Sequence, residues 1–173
     1  MADEISDLRT ALAALEARVA DLERTSPPAP ASSTDPDVFW ALAGLRERIA
    51  SDPGRAPGAV MLVGSVALPD GAAEWQQGAS SAGLLETDWS DSASALSALA
   101  HPVRLELTRH ILNGTHATAE LAALEGLGTT GQLHHHLRQL VSAGWVRQSG
   151  RGSYEVPAAR VVPVLAVVMA AQR

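Results

Sequence analysis

The chain has 173 residues, enough for one globular domain with appendages, and its formal net charge is −6 at pH 7. It contains no cysteine, which excludes a disulfide framework and fits a reducing compartment. The acidic start does not suit a signal peptide, and no apolar run reaches the ~18 residues of a membrane-spanning helix, so we expect a cytoplasmic protein that does not enter the membrane.

The charge is divided unevenly along the chain. Residues 1–90 carry 6 Arg and 14 acidic residues, whereas residues 91–173 carry 7 Arg and 5 acidic residues. Phosphate neutralisation supplies most of the non-specific affinity for DNA, so the acidic total argues against strong non-specific binding. A locally basic surface in the second half remains compatible with this balance.

The first segment, residues 1–25, has the pattern of a coiled coil. Apolar side chains recur at alternating spacings of three and four, which predicts an oligomerisation helix. The seam consists of Ile5, Leu8, Leu12, Leu15, Val19 and Leu22. The alternative is one amphipathic helix that packs on its own domain. A Pro- and Ser-rich linker is expected at residues 26–36.

The segment of residues 37–90 is predicted to form a helix followed by a β-hairpin. The helix ends near residue 51, before Pro and Gly, and two strand-like runs then flank the turn Pro69-Asp70-Gly71. This hairpin could cover the core, build a dimer surface, or wall a small-molecule pocket. The pocket would be lined by Trp40, Trp75 and Trp89, although aromatic residues near a hairpin are more often plain core.

Residues 121–144 (LAALEGLGTTGQLHHHLRQLVSAG) show a short helix, a glycine-containing turn and a second helix, which predicts a helix-turn-helix. Thr129 and Gln132 have the spacing of a capping box at the start of the second helix. One arc of that helix is apolar, with Leu133, Leu137, Leu140 and Val141. The opposite arc, expected to face a DNA groove, holds Gly131, Gln132, His135, Arg138, Gln139 and Ser142.

The flanking elements complete a larger pattern. Two helices are predicted at 101–114 and 115–124, and two short strands joined by Gly150-Arg151-Gly152 follow the second helix of the pair described above. The sequence therefore predicts a mainly α chain with small β elements (α+β), in which residues 91–173 form a winged helix-turn-helix domain. Its closing helix, residues 157–172, either pairs subunits through Val161, Leu165 and Val168 or is buried within one subunit.

Four stretches after Asp91 resemble a known family: LSALAHPVRLELTRHIL, TAELAALEGLGTTGQL, HHLRQLVSAGWV and RQSGRGSYEV. They are similar to the ArsR/SmtB-like bacterial transcriptional regulators, particularly the actinobacterial and bacillar branch. The resemblance implies a recognition helix that contacts bases at positions matching Thr130 to His135, with His134 where Tyr or Ser is common. The family's metal sensors place Cys in the helix that here reads TAELAAL, so we predict no metal site.

The structural context of several other motifs argues against the functions with which they are usually associated. The G-x-G-x-x-G pattern of residues 126–131 follows a helix rather than a strand, so it does not indicate dinucleotide binding. His134, His135 and His136 are consecutive on a helix and point about 100° apart, so they cannot close on one ion. No catalytic motif or paired carboxylates are present, and we expect neither an enzyme nor a cofactor.

These observations predict a dimeric, sequence-specific DNA-binding regulator, a repressor that does not sense metal, with a small-molecule effector left open. Base contacts would come from Gln132 to adenine and from Arg138 to guanine, each worth roughly 1–3 kcal/mol of discrimination. The full predicted DNA surface is Thr129, Thr130, Gly131, Gln132, His134, His135, Arg138, Arg147 and Arg151. The alternative is a winged-helix module that uses the coiled coil and apolar surfaces to bind protein.

Overall fold

The computed structural model describes residues 11–18, 35 and 37–172, and the chain divides into two compact units, residues 1–43 and 44–173. In the first unit, residues 11–18 form helix α1, on which Leu12 and Leu15 are each 61% exposed. The other predicted seam positions, Ile5, Leu8, Val19 and Leu22, lie outside the described residues, as does most of the linker. Helix α2, Trp40–Ser51, crosses the boundary between the units.

The second unit is mainly helical and contains two small antiparallel hairpins, which confirms the predicted α+β class. After a 3-10 turn at Pro53–Arg55, its strands and helices follow in this order: β1 Ala59–Leu68, β2 Gly71–Ser80, α3 Ser81–Glu86, α4 Ser90–Leu99, α5 Pro102–Leu112, α6 Thr118–Ala122, α7 Thr130–Ser142, β3 Arg147–Gly150, β4 Ser153–Glu155 and α8 Ala158–Ala171. None of the described helices combines the length and apolarity needed to cross a membrane.

The core lies between α4, α5, α6 and α7 and is built mainly from leucine. Each of these helices turns its apolar face inward, as their spacing along the sequence predicts. The buried cluster consists of Ala98, Leu99, Leu107, Ile111, Leu121, Leu127, Leu133, Leu137, Leu140, Trp145, Val146 and Val164. The domain is therefore organised around the helix pair that brackets the glycine-containing turn.

Polar groups close the junctions between these helices. The Arg104 guanidinium donates to the backbone oxygens of Ser97 and Ala98, which lie in the last turn of α4. The Ser97 oxygen also accepts from the backbone N–H of Ala100, the residue that caps α4, and the donors of Arg104 add a side-chain link that ties α5 to α4. The indole N–H of Trp145 donates to the Ala95 oxygen at 2.8 Å, and the Arg160 guanidinium lies 5.1 Å from the centre of that indole ring. Trp145 thus joins α4 to the chain that follows α7 and to α8.

The β1–β2 hairpin packs on α8. Its strands pair in register from Ala59 with Ser80 to Leu68 with Gly71. At Gly64 a Cβ atom would lie 2.7 Å from a methyl group of Val162, closer than real contacts allow, so the strand approaches the helix where it has no side chain. The hairpin therefore covers part of the domain's apolar interior, which is one of the three roles considered for it.

The closing helix α8 is buried more deeply in its own subunit than the oligomerisation prediction assumed. Val161 is only 2% exposed, and Val162 and Val164 are also buried. The prediction that Val161 contacts another subunit is therefore corrected, because packing within this subunit already buries that side chain. Leu165 and Val168 remain more than one-third exposed and stay candidates for a subunit contact.

Candidate nucleic-acid interface and a neighbouring cavity

The start of α7 is fixed by the predicted capping box. The Gln132 N–H donates to the Thr129 hydroxyl at 3.4 Å, and the Thr129 N–H donates to the Gln132 side-chain oxygen at 2.8 Å. Gly128 precedes this cap with a φ of +83°, and a Cβ there would lie 2.5 Å from the same side-chain oxygen. The left-handed backbone conformation therefore favours glycine here, and a larger residue would also displace the end of the Gln132 side chain.

The two arcs of α7 differ in burial as predicted. Leu133, Leu137 and Leu140 are buried, whereas all six residues of the polar arc are exposed: Gly131, Gln132, His135, Arg138, Gln139 and Ser142. Val141, which was placed on the apolar arc, is 39% exposed and lies at the edge of the packed face. A continuous polar surface thus runs along the solvent side of the helix.

Gln132 is already engaged at one of its two polar atoms. Its side-chain oxygen accepts from Thr129, which leaves the amide NH₂ as its available group. A bidentate contact with adenine needs both the oxygen and the NH₂. Gln132 would therefore have to leave the cap to make that contact, whereas no such restriction applies to Arg138.

The three consecutive histidines have separate surroundings. His134 and His135 are exposed, whereas His136 is half-buried and packs against His101, with ring centres 4.6 Å apart. Burial, together with the charges of His101, Arg104 and His135, lowers the pKa of His136. Among the described residues, no group of three His, Cys, Asp or Glu is arranged to hold a metal ion.

The β3–β4 hairpin carries the other predicted DNA contacts. Arg147 is exposed but forms an ion pair with Glu155 on the neighbouring strand, through its Nε and Nη2 atoms. Arg151 lies in the turn between the strands and is exposed. The two arginines therefore differ: Arg151 projects from the tip, and Arg147 is held at the base of the hairpin.

A cavity of about 460 Å³ lies between the tip of the β1–β2 hairpin, α5, α8 and the β3–β4 hairpin. Its apolar wall includes Ile111, Leu112 and Val161, and its polar rim consists of Asp70, His116, Arg147 and Glu155. The three tryptophans predicted to wall a pocket do not line it. Trp40 and Trp89 are each 67% exposed, and the Trp89 indole N–H donates to the Leu84 oxygen at 2.8 Å.

His116 joins the two hairpins at this rim. One ring nitrogen lies 2.8 Å from the Tyr154 oxygen on β4, and the other lies 2.6 Å from the Asp70 carboxylate in the β1–β2 turn. The Tyr154 carbonyl, followed by the hydrogen bond and charge of Asp70 and the charge of Glu155, raises the pKa of His116 against the opposing effect of burial. The sequence analysis missed this group, because no local pattern relates residues 46 positions apart.

Comparisons with known proteins add little to this geometry. No family model matches the chain, and no curated protein matches it. The crystal structure of M. tuberculosis Rv0081 is similar to part of the chain, with 25% sequence identity and a TM-score of 0.40. That match covers 47% of this chain and 84% of the other.

Proposed function

We propose that the chain is a dimeric, sequence-specific DNA-binding regulator of the winged helix-turn-helix type, similar to the ArsR-like repressors. The observation that carries the proposal is the polar arc of α7, which is exposed over its full length while the opposite arc is fixed in the core. An exposed helix on a rigid support is the arrangement that reads the major groove. The strands β3 and β4 take the place of the wing.

Each part of this surface has a distinct role in the proposal. The free N–H groups at the start of α7, with Thr129 and Thr130, suit a phosphate oxygen. Arg138, exposed in the middle of the helix, contacts a guanine edge through its planar guanidinium. Arg151 at the tip of the β3–β4 hairpin contacts the flanking backbone or the minor groove, while His134 and His135 contact base edges or phosphates.

Sequence-specific readout by Arg138 can be tested directly. DNA fragments captured from genomic DNA by the purified protein would serve as probes in a gel-shift assay, with scrambled fragments as competitors. We expect Arg138→Ala to weaken specific binding about tenfold or more, because one bidentate base contact is lost. Arg55→Ala removes the same charge from the turn before β1 and is the matched control.

Comparison of the two variants distinguishes a base-specific contact of Arg138 from a general effect of positive charge on DNA binding. Equal losses in the Arg138 and Arg55 variants would attribute the effect to net charge, and unchanged binding by Arg138→Ala would remove that residue from the DNA surface. Circular dichroism of each variant establishes that the helices are retained. Capture of no specific fragment would reject the proposed function.

The dimer in this proposal is formed by the predicted coiled coil and by the exposed part of α8. Leu12 and Leu15 are exposed on α1, as expected if these side chains pack against the same helix of another subunit. Changing both to Asp should lower the mass measured by light scattering, whereas Ala13→Asp with Ala17→Asp, which adds the same charge off the seam, should not. An unchanged mass would favour the alternative interpretation, in which this helix packs on its own domain.

A second candidate function is a winged-helix module that binds protein. The acidic first half of the chain and the exposed Leu12 and Leu15 favour it. The salt dependence of the captured complex separates the two functions. Release of phosphate-bound counterions makes DNA affinity fall steeply with salt, whereas an apolar protein contact does not behave in this way.

A further inference from the structure

The cavity beside the β3–β4 hairpin combines an apolar wall with a chain of alternating charges. Asp70, His116, Glu155 and Arg147 follow one another around its rim, and Ile111 and Val161 form buried parts of its wall. Its volume of about 460 Å³ lies within the range of sites for small organic ligands. Apolar walls with a few convergent polar groups are typical of such sites.

One cationic side chain of the rim, Arg147, retains hydrogen-bond donors for a ligand. Each rim carboxylate has a cationic partner on one of its two oxygens, since Asp70 Oδ2 is bonded to His116 and Glu155 Oε1 to Arg147. His116 uses both ring nitrogens, on Asp70 and on the Tyr154 oxygen. Arg147, however, uses Nε and Nη2 on a single oxygen of Glu155, and within the part of the chain that the structure describes its Nη1 has no partner. The guanidinium therefore retains donors for a second carboxylate.

We propose that this cavity binds a small carboxylic acid, with its carboxylate on Arg147 and its hydrocarbon body against the half-buried Leu68, Leu112 and Val156. The planar fork of arginine matches a carboxylate in two parallel hydrogen bonds. The apolar wall removes the rest of the ligand from water. A small carboxylic acid therefore matches both the apolar wall and the guanidinium of the cavity.

The site lies where a ligand would change the DNA surface. Both strands of the β3–β4 hairpin contribute to the rim, through Arg147 and Ser149 on β3 and through Ser153 and Glu155 on β4. A ligand carboxylate on the free donors of Arg147 therefore binds directly to the strand that leads to Arg151 at the hairpin tip. The regulatory part of the inference, that the acid alters DNA binding, rests on the proposed function, whereas the binding site itself does not.

The binding experiment uses the full chain and three related probes: phenylacetate, phenylacetamide and phenethylamine. Each is titrated while two-dimensional amide NMR spectra are recorded. We expect phenylacetate to shift the amides of residues that line the cavity in a saturable way, with an affinity about tenfold above that of the neutral amide. A phenethylamine affinity equal to or above that of phenylacetate would overturn the proposal, because the protein's own carboxylates would then be the recognising groups.

Two adjacent alanines supply a matched pair of variants. Ala158 and Ala159 are both exposed in the first turn of α8, but only Ala158 lines the cavity. Ala158→Phe fills the site and should weaken phenylacetate binding at least about tenfold, while Ala159→Phe should retain it. Equal binding by the two variants would contradict the site, as would retention of full affinity in Arg147→Gln.

The effect of phenylacetate on DNA binding is measured in a separate gel-shift assay. Loss of the phenylacetate effect on gel shifts in Ala158→Phe, with basal DNA binding retained, supports regulation through the cavity. Saturable binding without any change in the DNA complex overturns the regulatory part and leaves the site intact. If no specific DNA complex forms at all, the proposed function fails, and the NMR titration still decides whether the acid site exists.

Discussion

The helical body and the β1–β2 hairpin are held in place by different means. In the body, α5, α6 and α7 each contribute leucines with essentially no exposed surface, among them Leu107, Leu121 and Leu137. In the hairpin only Ala73 is buried, and Val60 and Val63 are largely exposed. The hairpin depends instead on close approach at Gly64 and on the contact of Asp70 with His116. This comparison indicates that the hairpin can loosen without unfolding the body.

The largest expected effect tests the body. Leu137 is 0% exposed, and truncation leaves a cavity in the centre of the leucine cluster. We expect Leu137→Ala to lower the free energy of unfolding by about 2–5 kcal/mol, measured by urea denaturation. The neighbouring exposed residue gives the control, since Arg138→Ala should change stability by less than about 0.5 kcal/mol. A similar loss in both variants would mean that the two arcs of α7 do not differ in packing.

A smaller effect is expected at the attachment of the hairpin. Gly64→Ala places a methyl group against Val162 and should destabilise the domain by about 1–3 kcal/mol. Gly78→Ala on the paired strand is the control, because the nearest atom to its Cβ would lie at an ordinary 3.7 Å. In hydrogen exchange, the Gly64 variant should lose protection at β1 and β2 while α7 keeps its own. Equal loss in α7 would show that hairpin and body unfold as one unit.

The smallest effect concerns the tip of the hairpin and depends on pH. Because the folded-state pKa of His116 is raised, its stabilising contribution is complete below the ordinary histidine pKa and is lost as the pH rises through the raised value. Asp70→Asn should reduce this contribution, by less than about 1 kcal/mol because Asp70 is mostly exposed.

The measurement is the free energy of unfolding of both proteins from about pH 5 to about pH 9. The lowered pKa of His136 gives the opposite dependence, with stability lost as the pH falls, but it is present in both proteins and cancels in their difference. A difference that grew as the pH rose would contradict the assignment to His116.

The sequence predicted well whatever depends on neighbouring residues. The capping box of Thr129 and Gln132 and the buried positions of α7 follow from spacings of three and four residues, and both are present. The turn Pro69-Asp70-Gly71 likewise places the β1–β2 hairpin correctly. Local hydrogen bonding and helical periodicity decide these features, so distant parts of the chain do not alter them.

Features that depend on packing between distant elements could not be predicted from the sequence. The closing helix α8 is apolar around most of its surface, so its pattern does not tell which valines the domain buries. Val162 is buried by the approach of Gly64, and Val164 by the leucine cluster. The rim of the cavity likewise joins Asp70, His116 and Glu155 from three distant segments, whereas the pocket prediction followed tryptophan alone.

The position of Trp145 has a practical consequence for observing this molecule. Its indole is only 4% exposed and is fixed among α4, α8 and the chain after α7, whereas Trp40 and Trp89 face solvent. In a Trp75→Phe variant, which removes the half-buried indole of β2, a collisional quencher such as acrylamide would suppress the emission of the two outer indoles and spare that of Trp145. The protein thus carries an intrinsic fluorophore at its centre, through which the integrity of the leucine cluster can be followed without attaching a dye.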